Sequence, residues 1–395
     1  MKHLLLATVG CLALAGAASA EPVNIGVILG FTGPLESITP GMAASAELAF
    51  KEASDSGKMP DGITLKPVRA DSTCVDAAAA TTAAEQLVSG SKVAAIMGAD
   101  CSGVTTAILN NVAVPKGVVM VSPSATSPSL TTINDNGFFF RTAPSDARQG
   151  VVLADVVAEK GVKEVAVTYT NNDYGKGLAE SFGKAFTDKG GKVAISAAHE
   201  DGKADYSAEV AALQASGAKV LMVFGYVDQG GRGIVQAALD TGAFDSFVFA
   251  DGMYGQSLID AVGSEIDGKV IGTLPGVEGA GADKFVAVAK AGGLDASNTY
   301  VPESYDAGAL IALAIAAGKS ADRTSIRDHM LAVANAPGEP ILAGELAKGL
   351  ELLAEGKDID YQGATGIELI GPGEAAGSYR VYEVKGGTPV TLGYR

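Results

Sequence analysis

The chain of 395 residues has no tryptophan, three cysteines, three histidines and only 6% aromatic residues. Each scarcity excludes something. Stacking platforms for nucleobases need aromatic side chains in number. Few histidines leave few candidates for proton transfer or zinc binding. His3, His199 and His329 lie far apart, and His199, followed by Glu200 and Asp201, reads as a surface strand end. No H-E-x-x-H, C-x-x-C or G-x-S-x-G pattern occurs, so hydrolytic machinery and a metal site have no sequence support. Gly318-Lys319-Ser320 lacks the first glycine of a phosphate loop, because Leu313 stands there. Gly371-Pro372-Gly373 misses dinucleotide spacing. Positive charge is also scarce: 29 Lys and Arg face 45 Asp and Glu, for a net charge of −16. A chain this acidic repels phosphate backbones, so nucleic acid is not an expected partner.

Long apolar runs are missing too. The first segment, Leu4 to Ala15, follows Lys2 and His3 and precedes Ala18-Ser19-Ala20. It is too short to span a bilayer and reads as a secretory signal peptide over 1–20, cleaved after Ala20. A lipid anchor on Cys11 fits less well, because Thr8 is a poor match three residues earlier. The chain is therefore expected to be exported. Removing the leader leaves 375 residues, too many for one core, so two domains are expected. Two cysteines remain, Cys74 and Cys101. An even pair in an exported chain suggests a disulfide; two buried free thiols are the alternative.

What is present is a long alternation. Val23–Leu29, Ile63–Ala70, Val93–Gly98 and Val118–Val121 read as strands, separated by helical spacing over Gly41–Ser54, Asp76–Ser89 and Gly103–Val112. After Phe138-Phe139-Phe140-Arg141 the pattern restarts. Val165–Thr170, Lys192–Ala197, Val220–Phe224 and Phe247–Ala250 alternate with four more helices. Helices follow beyond Leu274, and Tyr379–Val384 closes the chain as a strand. Near-continuous apolar strands between amphipathic helices predict parallel sheets covered on both faces, an α/β fold.

Open α/β sheets bind ligands outside the carboxyl ends of their strands. In the first unit these ends carry Asp100-Cys101-Ser102-Gly103 and Ser122-Pro123-Ser124-Ala125-Thr126. Small hydroxyls beside helix starts form a cradle for a carboxylate. The second unit offers Tyr174, Tyr226 and Asp251. A carboxylate cradle facing an acid and aromatic walls complements a zwitterion with an apolar side chain, and no catalytic group is in evidence.

Seven ordered motifs then carry a resemblance: IGVILGFTGP (25–34), DSTCVDAAAA (71–80), GADCSG (98–103), VSPSATSPSLT (121–131), FFFRTAPSD (138–146), NNDYGKGLAE (171–180) and VFGY (223–226). Together they resemble the periplasmic branched-chain amino-acid binding proteins, substrate receptors of ABC importers with the type I periplasmic binding fold. The resemblance implies two Rossmann-like lobes joined by a three-strand hinge: a first lobe over 21–143 and 274–377, a second over 144–273 and 378–395. It implies a ligand set of Ser102, Ser124, Ala125, Thr126, Tyr174, Tyr226 and Asp251, with Tyr300 lining the side-chain pocket and Cys74 bonded to Cys101. It implies a monomer, no cofactor or metal, and a membrane permease as partner. Two departures bear on the ligand. No aromatic follows the T-G-P turn in Leu35-Glu36-Ser37-Ile38-Thr39, and Asp251 stands where relatives of that family usually carry glutamate.

Other readings stay open. Ser102, Ser124 and Thr126 also suit helix or turn capping. Asp251-Gly252 suits a plain turn, and Tyr174 suits surface packing. Arg141 and Asp146 read as a hinge ion pair or as a solvated surface. Within the binding class, an amide or urea, GABA, or a non-amino organic acid would suit the same fold. A ligand-sensing domain or a secreted hydrolase would need a membrane helix or a nucleophile–histidine pair.

Overall fold

Two twisted sheets organise the protein, seen in a computed structural model that describes residues 22–395. The expected leader and its cleavage site lie outside the described residues. The first sheet contains β1 (Val23–Leu29), β2 (Leu65–Asp71), β3 (Ala95–Gly98), β4 (Val119–Ser122) and β5 (Phe139–Arg141). Its order is β2-β1-β3-β4-β5, and every pairing is parallel. Along β1, Ile25, Val27 and Leu29 pack in one core and Ile28 in another. That period of two, apolar on both sides, is what a sheet covered on both faces requires.

The second sheet takes β6 (Glu164–Thr170), β7 (Lys192–His199), β8 (Val220–Phe224), β9 (Ser246–Phe249) and β10 (Val270–Pro275). Two short pairs follow, β11 (Glu339–Leu342) with β12 (Ile359–Gly363) and β13 (Leu369–Ile370) with β14 (Glu374–Ala375). The chain then returns to the second sheet as β15 (Tyr379–Lys385) and β16 (Thr388–Tyr394), giving the order β16-β15-β10-β9-β8-β6-β7. β6 to β10 pair in parallel, whereas β15 runs antiparallel to β10 and β16 antiparallel to β15. The α/β expectation holds, but this antiparallel edge departs from a purely parallel sheet. β16 also overturns the reading that the chain closes with one strand. Its side chains are mostly exposed, so it carries no apolar face to recognise; a turn through Gly386 and Gly387, both at positive φ, sets up the hairpin.

Residues far along the chain return to the first sheet. The helix Val301–Ala317 is almost wholly buried and packs on the helix Thr39–Asp55. Gly308 permits this closeness: a Cβ there would lie 2.8 Å from the Ala46 carbonyl oxygen. Ser45 Oγ donates to the Val301 carbonyl at 2.6 Å, tying the helix start to its neighbour. That start carries Tyr300, which the packing delivers to the edge between the two sheets. Among the described residues, no helix is long and apolar enough to cross a membrane.

Candidate functional site

The ends of β1 to β4 are stitched together by short polar side chains. The Asp100 carboxyl is buried and accepts from Gly30 N and Ser72 Oγ, both at 3.0 Å. Ser122 Oγ donates to the Ala99 carbonyl at 2.5 Å and accepts from Ala125 N at 2.9 Å. Ser124 Oγ donates to the Asp100 carbonyl at 3.0 Å, and Ser102 Oγ accepts from Ser127 N at 3.1 Å. Cys101 precedes the helix Ser102–Ile108 and is bonded to Cys74, with their Cα atoms 5.1 Å apart. The expected disulfide is present. Cys74, Asp100 and Cys101 meet closely enough to suggest a metal cluster, but the bonded sulfurs offer no thiolate.

Arg141, fully buried, braces this rim from beneath. Its Nη1 donates to the carbonyls of Ala125 and Ser127, each at 3.0 Å, and its Nη2 to Thr131 Oγ1 at 2.9 Å. The two carbonyls bracket Thr126, whose own hydroxyl is buried without a hydrogen-bond partner. The guanidinium charge is met by Glu374 through Nε at 3.2 Å and through Nη2. Neither reading left open for Arg141 and Asp146 holds: Arg141 pairs with Glu374 and not with Asp146, and both side chains are buried and not solvated. Glu374, on β14, reaches Arg141 from a segment distant in sequence.

From the second sheet come Tyr174, Tyr226 and Asp251. The two rings stack with centroids 5.3 Å apart and planes 18° from parallel. Tyr226 Oη accepts from Asn172 Nδ2 at 3.1 Å. Tyr174 Oη donates to Asp251 Oδ1 at 3.2 Å and accepts from Gly252 N at 3.2 Å. Tyr300, from the helix start beside the first sheet, donates to the other oxygen of Asp251. Its φ of +60° is unusual for a tyrosine, a conformation that costs free energy and persists where the surroundings hold it. All eight residues read from the sequence as ligand-binding are buried. The two strand-end groups come together, with Tyr300 joining Asp251 to the first sheet.

The sheets close over this region through direct bonds. Ser37 N donates to Asp228 Oδ2 at 2.8 Å, Asp228 N to the Pro34 carbonyl at 3.1 Å, and Ser127 Oγ to the Asp173 carbonyl at 3.0 Å. The segment 35–39, which lacks an aromatic, is thus bonded to the loop after β8, with Leu35 buried.

Burial sets the protonation of the site. The Asp251 carboxyl is pushed above the usual carboxylate range by burial, opposed by the Tyr300 hydroxyl. Asp146 is pushed well above that range by burial and then by the charge of Asp251. Tyr174, Tyr226 and Tyr300 are held as neutral phenols by burial and by nearby carboxylates. Asp146 and Gln149 were missed as site residues by sequence reasoning. Asp146 opens the helix Asp146–Glu159, where an acid is ordinary, and only the folded chain brings it near enough to Asp251 for the two charges to interact. His199 is a second correction. It is buried rather than at the surface, with Nδ1 2.8 Å from Thr168 Oγ1. Burial lowers it to about 4, so it packs as a neutral ring.

Residues 22–347 match the family model described as periplasmic binding protein. The chain belongs to the periplasmic binding protein family. It is 34% identical over 238 residues to a Leu/Ile/Val-binding protein homologue of Brucella melitensis, a match spanning 58% of this chain and 62% of that protein. It is 29% identical over 328 residues to the leucine-, isoleucine-, valine-, threonine- and alanine-binding protein of Pseudomonas aeruginosa, spanning 81% of this chain and 86% of that protein. The structure superposes on a leucine-binding protein of Thermotoga maritima with a TM-score of 0.78 at 24% identity, covering 94% of this chain and 98% of that one. That superposition establishes a type I periplasmic binding protein fold.

Proposed function

We propose that the protein is the substrate receptor of an ABC importer and that it holds a small apolar L-amino acid between two lobes. The observation that carries this reading is the imbalance of polar groups in the buried site. Near Asp251, whose two oxygens accept from Tyr174 and Tyr300, the Asp146 carboxyl and the Thr126 hydroxyl are buried without hydrogen-bond partners. Arg141, the cation bearing on Asp146, has its charge met by Glu374. Buried acceptors and charges without partners are costly, and an ammonium answers them. On this reading Ser102 and the backbone of 122–126 take the ligand carboxylate. Thr126 and Asp251 take its ammonium, and Tyr174, Tyr226 and Tyr300 wall the side chain. Leu35, in place of an aromatic, leaves that wall less bulky.

The same reading assigns 21–143 with 274–377 to the first lobe and 144–273 with 378–395 to the second. Three crossings then form the hinge, the usual closure element of this architecture. Ligand contacts to both lobes exist only when they close, so binding favours closure. The leader over 1–20 would be removed after Ala20 on export to the periplasm. There the monomer would deliver its cargo to a membrane permease. An amide or a non-amino organic acid satisfies the rim at 122–126 but leaves the acceptors near Asp251 unanswered.

Calorimetry tests the assignment. Replacing Asp251 by alanine should weaken binding of an apolar L-amino acid by about 3–5 kcal/mol, the cost of leaving a buried charge unpaired. For the corresponding 2-keto acid, or for benzoate, the same change should cost at most about 1–3 kcal/mol, as for a lost hydrogen bond. A wild-type preference for keto acids, or full amino-acid affinity in Asp251→Ala, overturns the proposal.

A further inference from the structure

We infer that Asp228 is a closure latch: it touches no ligand, yet it sets how long the ligand stays between the sheets. This deepens the proposed function and rests on its closing lobes. Asp228 lies in the loop after β8, two residues beyond Tyr226, and is buried. Its Oδ2 accepts from Ser37 N and its Oδ1 from Ser257 Oγ, both at 2.8 Å. Its own N–H donates to the Pro34 carbonyl at 3.1 Å. Both carboxylate oxygens are thus spent on the protein. Pro34 and Ser37 belong to the turn that joins β1 to the helix Thr39–Asp55, so the bonds run from one sheet to the other.

The backbone of that turn shows what the acid answers. Every amide entering the helix needs an acceptor. Glu36 N donates to the Gly33 carbonyl, and Ile38 N and Thr39 N both donate to the Leu35 carbonyl. Position 40 is proline and has no N–H. Ser37 N is left over, and the Asp228 carboxylate takes it from the other sheet. The N-cap residue, Ile38, brings no side-chain acceptor to this helix start. A negative charge near a helix N-terminus is favourable, and an ionised acceptor makes a stronger bond than a neutral one.

The other stacked tyrosine has a matching neighbour. Asp173 precedes Tyr174; its carbonyl accepts from Ser127 Oγ at 3.0 Å and its Oδ2 from Thr106 Oγ1 at 3.2 Å. Gly177, one turn along the same helix, allows the approach, because a Cβ there would lie 2.8 Å from Pro128 Cδ. Each of the two rings thus stands beside an acid bonded to the first-sheet side. These bonds join protein groups only, so they add the same increment to the closed state for every ligand. Release requires the lobes to part and the bonds to break, whereas capture begins on an open cleft. The latch therefore acts on dissociation and leaves association nearly untouched.

The test is stopped-flow kinetics of the mature chain with L-leucine, L-alanine and benzoate as probes. In Asp228→Ala the dissociation rate should rise about tenfold, as for a lost hydrogen bond to a charged group, while the association rate stays within about twofold. The factor should be the same for each probe that binds, so the order of affinities is unchanged. Asp228→Asn keeps one acceptor oxygen, and Ser257→Ala leaves the Ser37 bond in place; each should show a smaller rise, and both carry the test should Asp228→Ala fail to fold. A residue that merely shaped the loop carrying Tyr226 would change the probes by unequal factors. Unequal factors, an unchanged dissociation rate or a change confined to association overturn the latch and leave the amino-acid assignment standing. A rise read on benzoate, with neither amino acid bound, keeps the latch and overturns that assignment. Binding of none of the three overturns both.

Discussion

Removing Glu374 is the sharpest test of how the binding rim is held. Its carboxylate is the counter-charge of Arg141, whose side chain is fully buried. Replacing Glu374 by alanine strands that guanidinium, and breaking a buried pair in this way costs about 3–5 kcal/mol. For a protein of this size that should lower the melting temperature by roughly 4–6 °C. Glu374→Gln keeps an acceptor and should cost less, about 1.5–3 kcal/mol, as for a hydrogen bond to a charged group. The double replacement Arg141→Met with Glu374→Leu removes both charges and should recover most of the stability. It should not recover ligand affinity, because the carbonyls of Ala125 and Ser127 lose the donor that fixes them around Thr126. Denaturant titration measures the first quantity and calorimetry the second. A Glu374→Ala variant destabilised by less than about 1 kcal/mol, well short of that buried-pair cost, would refute this reasoning.

Two other predictions follow from the same contacts. Replacing Cys74 and Cys101 together by alanine opens a loop of sequence separation 27 and should destabilise the chain by about 3.5 kcal/mol on the chain-entropy model; chemical denaturation that places the variant with wild type would contradict it. Tyr226→Ala removes the stacking partner of Tyr174, worth about 0.5–1.5 kcal/mol, and should raise the dissociation rate more than it lowers the association rate. Stopped-flow kinetics showing the change wholly in association would count against a closed cleft around the ligand.

The fold was legible because its strands are apolar on both faces and its helices amphipathic, a pattern that local sequence carries whole. Val23–Leu29 and Val220–Phe224 were read with the boundaries they have in the structure. β16 was not, because an exposed edge strand beginning Thr388-Pro389 has no apolar alternation to display. The site residues at strand ends were legible for the same topological reason, since each closes an apolar run. Asp146 was not. An acid in the first turn of a helix looks alike whether water or another carboxylate lies beyond it. What distinguishes it is the approach of Asp251 from the second sheet and the capture of Arg141 by Glu374, both set by tertiary packing. His199 misled for a related reason: acids follow it in sequence, yet its ring turns inward toward Thr168.

The claim at the centre of this account is that the buried site is built for an α-ammonium as well as a carboxylate. Native mass spectrometry of the mature protein, incubated with an equimolar mixture of L-leucine, its 2-keto acid and benzoate, tests it most directly. The account predicts a complex whose added mass is that of the amino acid. A complex carrying the keto acid or benzoate in its place would contradict it.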